Sequence, residues 1–158
     1  MDRRSVEEAV PHRPCGPLRQ FYTAARCLMN TPSYDPRFLS GIERFNECDF
    51  FEAHEDWEAL WQEYQGPSRR FYQGLIQVAV CLHHFGNGNS RGAIKLYHSS
   101  RNYLELYRPW HEGVDLEKLF AELQRCCAEL LASTDEYPQI DIVPDLIPEI
   151  HLVGRPSS

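Results

Sequence analysis

Apolar residues recur along this chain at intervals of three and four, which is the spacing of one face of an α-helix. Prolines and glycines interrupt the pattern and divide it into segments. We predict helices over 17–30, about 36–47, 50–65, 67–85 and 90–108, and a last helix from 116 onward. No segment alternates convincingly between apolar and polar residues. The predicted fold class is therefore all-α: a small helical bundle with a three-helix core and extra terminal helices.

Local signals predict where several of these helices begin and end. Asp49 followed by Glu52 is a capping-box pattern, which places a helix start at the next residue after Asp49. The Gly-Pro pair at 66–67 is typical of one helix ending and another beginning. Asn89 and Asp115 are suited to cap the two helices that follow them.

Both ends of the chain differ from this helical pattern. Residues 1–16 combine prolines with mixed charges and are typical of a flexible arm. Residues 133–158 interleave prolines with branched apolar residues, and that density of proline forbids a long helix. We predict a helical bundle over 17–132 and an extended, proline-rich tail over 133–158 that packs on the bundle or on a partner.

The distribution of charge narrows the choice of partners. The net charge is −7, and the segment from Phe45 to Ser68 holds seven acids and no lysine or arginine. Nucleic-acid binding needs a dense basic surface, and none is visible, so we expect no nucleic-acid partner. No apolar run approaches the roughly 20 residues that span a bilayer, and the first residues carry acids where a signal peptide is apolar. We expect a cytoplasmic protein with no membrane partner.

Six cysteines, at positions 15, 27, 48, 81, 126 and 127, lack any CxxC spacing. Several fall on apolar helical faces, so we expect buried free thiols instead of a disulfide framework.

The segment FFEAHEDWEALW (50–61) concentrates aromatic and acidic residues on one helix. At 100° per residue, its apolar residues share one face, which we predict to be the core face: Phe50, Ala53, Trp57, Leu60, Trp61 and Tyr64. Glu52, Asp56 and Glu63 lie opposite and are expected in solvent, with Glu55 at the boundary. Only His54 and Glu58, one helical turn apart, are polar residues that enter the apolar side.

The next helix carries a narrow polar stripe formed by Gln73, Gln77 and His84. Two interpretations are equally supported. The stripe is the only solvated edge of an otherwise apolar helix, or it faces His54 and Glu58 and satisfies their hydrogen bonds in a buried network or pocket.

Metal binding and nucleophilic catalysis are weakly supported. A di-iron bundle needs Glu-x-x-His twice, and HExxH is absent because Glu58 stands where the second histidine belongs. His54 and Glu58 alone supply two ligands, fewer than transition metals usually take from a protein. We therefore predict a structural polar network, commit to no metal and no cofactor, and find no activated nucleophile.

Three phrases resemble a known prokaryotic family: FNxxxFFEAHExWExxW at 45–61, QGLIQ at 73–77 and GNxxGA at 88–93. The family is catalogued as domain of unknown function 309, and the resemblance covers about residues 38–107. It implies a small helical bundle, similar in its core hairpin to a three-helix arrangement found beside the catalytic domain of some hyaluronidases, without their function. The resemblance also implies that fourteen signature positions are important, without indicating whether for packing or for chemistry. These positions are Phe45, Asn46, Phe51, Glu52, His54, Glu55, Trp57, Glu58, Trp61, Gly74, Gln77, Asn89, Gly92 and Ala93.

Two functional hypotheses follow from these observations. The first is a non-catalytic protein-interaction module, expected to bind a protein partner or itself as a homo-oligomer. The second is a small enzyme or metal-binding protein with a pocket around His54 and Glu58. The sequence does not identify a substrate or a reaction.

Overall fold

A computed structural model describes residues 33–157 of the chain, so the predicted arm and the predicted helix 17–30 lie outside the described residues. Within 33–157 the chain is mainly helical and contains five α-helices and one short hairpin. The α-helices are α1 (Pro36–Asn46), α2 (Phe50–Glu63), α3 (Arg69–Gly86), α4 (Ser90–Leu104) and α5 (Leu116–Ala132). Strands β1 (Trp110–His111) and β2 (Val114–Asp115) form the hairpin, and 3₁₀ turns cover Glu105–Tyr107 and Pro144–Leu146. The predicted all-α fold class is confirmed.

Helix α3 is the centre of the bundle, since it packs against both α2 and α4 while α1 packs against α2. Its apolar character follows from this position, because a helix between two neighbours buries most of its surface. Trp57 of α2 is fully buried, and its indole nitrogen donates to the carbonyl oxygen of Phe38 at 3.1 Å. Phe45 and Phe50 meet edge to face at 5.2 Å beside it. These aromatic contacts join α1 to α2.

The predicted starts of α1, α2, α4 and α5 hold, but α3 begins at Arg69, two residues after the predicted position 67, and the predicted cap of α2 does not form. Helix α2 begins at Phe50 as expected, yet the Asp49 side chain makes no capping hydrogen bond within the described chain. The backbone N–H of Asp49 instead donates to the Arg44 carbonyl at 2.9 Å and closes α1. Asn89 and Asp115 do cap, accepting from the N–H groups of Gly92 and Lys118, both at 3.0 Å.

The predicted helix 90–108 is too long. Helix α4 ends at Leu104 and continues as a 3₁₀ turn through Tyr107, after which Arg108 is extended. Pro109 explains the difference, because it has no N–H for the carbonyl of Glu105 and disfavours the helical conformation of the residue before it.

The β1–β2 hairpin was missed by the sequence prediction. Trp110 pairs with Asp115 and His111 with Val114, so each strand is too short to show an alternating pattern. Glu112 and Gly113 have φ of 49° and 82°, as the two central residues of a type I′ turn require. The Glu-Gly pair was the available signal, since glycine adopts this conformation at no steric cost.

The tail after α5 contains no α-helix or strand over 133–157. It contacts the bundle at separate points. The hydroxyl of Ser90 donates to the carbonyl of Pro138 at 2.8 Å, and the backbone of Ile150 bonds to the side chain of Asn46.

Candidate functional site

His54 and Glu58 lie one turn apart on α2, at the edge of the core and not inside it. The Nδ1 of His54 is 2.7 Å from the carbonyl oxygen of Phe51, so Nδ1–H donates and Nε2 is left as an acceptor. The distance from Nε2 to the nearer carboxylate oxygen of Glu58 is 3.9 Å. The His54 side chain is 19% exposed and that of Glu58 is 46% exposed, so the prediction that Glu58 enters the core needs correction. A glutamate has enough reach to turn its carboxylate into water.

The polar stripe of α3 contacts α4 at both of its ends. The amide of Gln73 donates to the hydroxyl of Tyr103 at 3.2 Å, and the amide of Asn89 donates to His84 Nδ1 at 3.3 Å. The predicted network in which Gln73 serves His54 and Glu58 is therefore wrong, because the Gln73 amide is already bonded to α4. Burial, with a smaller effect of His83, lowers the pKa of His84.

Gln77 lies between these two ends of the stripe. Its residue is half-buried, and its carbonyl oxygen Oε1 is buried with no hydrogen-bond partner among residues 33–157. The five candidate side chains thus form no single hydrogen-bonded network: His54 and Glu58 lie together, Gln73 and His84 bond to α4, and Gln77 makes no hydrogen bond through Oε1.

The acidic face of α2 is mostly solvated: Glu52 and Glu63 are exposed, as predicted, and Glu55, predicted at the boundary, is exposed as well. The prediction of solvent exposure for Asp56 needs correction. Asp56 accepts from the Ser40 hydroxyl at 2.6 Å and from Arg44 Nε at 3.0 Å, and its side chain is 28% exposed. Asp56 therefore ties α2 to α1, which the helical wheel of α2 alone could not reveal.

Phe51 is the large apolar side chain left outside the core of α2. It is 46% exposed, and its ring centroid lies 5.1 Å from that of His54 and 5.6 Å from that of His83. We call Phe51, His54 and His83 the aromatic patch. His83 is thus the histidine of α3 that faces α2.

Packing accounts for many of the signature positions. Trp57 and Ala93 are fully buried, and a Cβ at Gly74 would lie 2.6 Å from Leu104 Cγ, so glycine lets α3 and α4 approach closely. Packing does not account for Phe51, Glu52 and Glu55, which are exposed. These three residues lie within the first two turns of α2, next to His54.

A second polar cluster joins the start of α3 to the hairpin. The Ser68 hydroxyl lies 2.7 Å from His111 Nε2 and donates to Glu112 Oε2 at 2.8 Å, so His111 Nε2 carries the proton that Ser68 accepts. Burial lowers the pKa of His111, and the negative charge of Glu112 opposes that shift. Ser68 is 2% exposed, so its oxygen is shielded from substrates and the cluster holds structure. No local sequence pattern predicts this cluster, because Ser68 and His111 are 43 residues apart in the sequence.

The four described cysteines are free, as expected: Cys48 is exposed, and Cys81, Cys126 and Cys127 are buried. Contact with Cys127 and burial raise the pKa of Cys126. The contact with Cys126 lowers the pKa of Cys127, but contact with Cys81 and burial outweigh it, and the pKa is about 12. The thiols of Cys126 and Cys127 therefore stay protonated at neutral pH and are poor nucleophiles.

Within residues 33–157, no three His, Cys, Asp or Glu side chains are grouped in a way that could hold a metal ion. No described helix is both long enough and apolar enough to cross a membrane.

Known proteins that are similar to this chain support the family resemblance indicated by its sequence signature. A family described as "Domain of unknown function (DUF309)" matches residues 38–96. The chain is 34% identical over 111 residues to an uncharacterized protein of Bacillus subtilis, YpuF, an alignment that covers 68% of this chain and 63% of YpuF. It is also 39% identical over 46 residues to an uncharacterized protein of Aquifex aeolicus, covering 28% of this chain and 14% of that protein. The chain thus spans less than two thirds of either relative. The predicted resemblance is confirmed.

Proposed function

We propose that this chain, whose residues 38–96 carry the DUF309 domain, is a non-catalytic, cytoplasmic helical bundle that acts through protein contacts, with self-association as the first form to test. The observation that carries this proposal is the exposure of Phe51, a signature residue that packing does not explain. An aromatic side chain held at a protein surface is a common anchor of protein interfaces.

The aromatic patch is suited to binding because Phe51 is already held in place. The rings of His54 and His83 lie on two sides of it, at 5.1 and 5.6 Å between centroids. His54 is itself fixed by its hydrogen bond to the Phe51 carbonyl. A side chain ordered before binding loses less conformational entropy when a partner covers it.

Acidic residues of α2 lie near the aromatic patch and constrain the charge of the partner surface. Glu52 and Glu55 are exposed on the same helix, and Glu58 is partly exposed. Two copies that paired patch to patch would bring these acids together, and a partner with basic groups would neutralise them. Added salt should therefore strengthen a patch-to-patch homodimer and weaken a complex with a basic surface.

Light scattering at micromolar concentration tests the proposal. We expect the wild-type chain to form a dimer or a larger species and Phe51→Ser to shift it toward monomer, because the variant removes the apolar anchor. Leu106→Ser is the matched control, since Leu106 is 69% exposed and lies outside the patch. A wild-type chain that remains monomeric at every salt concentration would contradict self-association.

The second candidate function is a small enzyme or metal-binding protein built around His54 and Glu58. It is favoured by one observation: the Phe51 carbonyl fixes Nδ1–H of His54, which leaves Nε2 free as a base or ligand on the side of Glu58. Elemental analysis of purified protein tests the metal form, with His54→Gln as the comparison. Stoichiometric metal that is lost in the variant would favour this candidate over the interaction module.

A further inference from the structure

The tail is held to the bundle through its backbone at Ile150. The side-chain amide of Asn46, the last residue of α1, donates to the Ile150 carbonyl and accepts from the Ile150 N–H, both at 2.8 Å. One amide thus satisfies both backbone groups of a residue, as a neighbouring strand would. Because both hydrogen bonds go to backbone atoms, Asn46 can bind an extended chain whatever its side chain at this position.

A second backbone anchor lies three residues later. The N–H of Val153 donates to the carbonyl of Gly113 at 2.8 Å, and the Val153 carbonyl accepts from Trp110 Nε1 at 3.0 Å. The hairpin that supplies both partners therefore contributes one wall of a groove, and Asn46 contributes another. We call residues 148–153 the strap, and we call the surface formed by Asn46, the hairpin and the start of α5 the strap groove.

Two residues of the strap are buried, and one of them, Ile150, faces a cavity at the start of α5. Ile150 is 3% exposed, and Pro148 is buried. Val153, by contrast, is 46% exposed although both of its backbone groups are bonded. The strap groove therefore accepts a branched apolar residue at the position of Ile150, and it leaves the position of Val153 open.

The strap does not fill the space beneath it. A cavity of about 80 Å³ lies between the strap and the start of α5, lined by Val114, Leu119 and Val153 among others. A second cavity, of about 240 Å³, separates the preceding residues from the charged side of α5 at Lys118, Glu122 and Arg125. Both cavities are open to solvent, so a side chain placed in one of them would gain dispersion contacts that the strap does not make.

We propose that the strap groove is a binding site for an extended peptide segment of a protein partner, and that the strap is its built-in competitor. The partner segment carries a branched apolar residue at the position of Ile150 and a side chain larger than valine three residues after it. The larger side chain would occupy the cavity that Val153 leaves unfilled. This surface differs from the aromatic patch, so the inference goes beyond the function proposed above.

The strap has an advantage over any free peptide because it is part of the same chain. A tethered segment competes at an effective concentration on the order of millimolar. A partner segment must therefore have a higher affinity for the strap groove than the strap has. A larger side chain in the cavity next to Val153 would supply this added affinity. Weakening the strap should expose the site.

The experiment uses the full chain with Ile150→Arg, which places a charge where the buried anchor lies and should release the strap. The probe is a fluorescent peptide of residues 145–157, measured by anisotropy. We expect at least tenfold tighter binding to Ile150→Arg than to the wild-type chain, and tighter binding again for a peptide with Val153→Leu. Adding Asn46→Ala to Ile150→Arg should weaken binding at least tenfold. Val143→Arg is the matched control, because Val143 is a 45% exposed residue of the same tail.

Equal peptide affinity of the Ile150→Arg and wild-type chains would overturn the proposal. Equal peptide affinity of Ile150→Arg with and without Asn46→Ala would overturn it as well. Helical circular dichroism checks that the variants fold. If Ile150→Arg unfolds, hydrogen exchange of the wild-type chain tests whether a peptide displaces the strap. Excess peptide with Val153→Leu should speed exchange at the backbone amides of Ile150 and Val153 of the chain. Unchanged exchange at these amides would contradict displacement of the strap. Loss of peptide binding would leave the Phe51-dependent association intact, so the two proposals fail separately.

Discussion

Gly41 of α1 lies directly against the indole of Trp57, so closely that a Cβ at this position would overlap the ring. The close approach lets the Trp57 nitrogen reach the Phe38 carbonyl and lets α1 cover the most aromatic part of the core. The signature residue Trp57 thus depends on a glycine that the sequence analysis did not single out. Helical spacing predicts which face of α1 is buried but not how near its backbone comes to a neighbour.

We expect Gly41→Ala to lower the free energy of unfolding by about 1–3 kcal/mol, because the added methyl displaces a fully buried ring. Gly86→Ala is the control, since a Cβ there meets no atom within 4 Å, and we expect it to be neutral or slightly stabilising. Urea denaturation followed by tryptophan fluorescence measures both. Equal stability of the two variants would show that Trp57 can move without cost.

At the scale of elements, the junction between α3 and the β1–β2 hairpin depends on a neutral histidine. His111 donates to Ser68, and its ring contacts Phe71 edge to face and Tyr107 at a tilt, with centroids at 4.8 and 4.5 Å. Tyr107 also donates to the Pro67 carbonyl at 2.8 Å. These contacts close the loop between α2 and α3 over the hairpin.

This junction should make stability depend on pH. Burial lowers the pKa of His111 below its ordinary value of 6.5, so the folded chain binds fewer protons there than the unfolded chain. The resulting contribution to stability is complete above pH 6.5 and is lost as the pH falls below it. The lowered pKa of His84 acts in the same direction.

We therefore expect the urea midpoint to fall as the pH is lowered from about 7.5 to 5.5, where unfolded histidine titrates. His111→Gln should flatten this dependence, and His98→Gln, at an exposed position, should leave it unchanged. A midpoint independent of pH in the wild-type chain would contradict a buried neutral histidine.

The elements also show what the sequence could and could not predict. The starts of α4 and α5 follow from the capping side chains Asn89 and Asp115, and each helix has a buried face at the expected spacing. Helix α2 begins at the predicted residue although Asp49 does not cap it. The premature end of α4 is local too, because Pro109 alone explains it. The hairpin was missed because its strands are two residues long, and the Ser68 cluster was missed because its members meet only in the folded chain.

The candidate site was predicted less well than the fold, for the same reason. The helical wheel correctly paired His54 with Glu58, since both lie on one helix. It could not rank the neighbours of α3, so it left open whether Gln73 faces solvent or α2, and neither interpretation includes its hydrogen bond to Tyr103 of α4. Pairings within a helix follow from its geometry, and pairings between helices require the relative rotation of both.

At the scale of the whole molecule, two surfaces differ from the rest of the described chain. The aromatic patch presents an ordered phenylalanine with an acidic rim, and the strap groove holds an extended segment by its backbone. Both use signature residues, Phe51 and Asn46. The central claim is that the bundle serves as a scaffold for such contacts and does not carry out a reaction.

A photoreactive phenylalanine analogue at position 51 tests this claim most directly. The analogue keeps an aromatic ring in the aromatic patch, so it should crosslink whatever protein covers the patch when the full chain is irradiated at micromolar concentration. We predict a specific adduct at position 51, of twice the chain mass if the partner is a second copy, and none with the analogue at the more exposed position 106. No adduct at position 51, or the same adducts from both positions, would contradict the account.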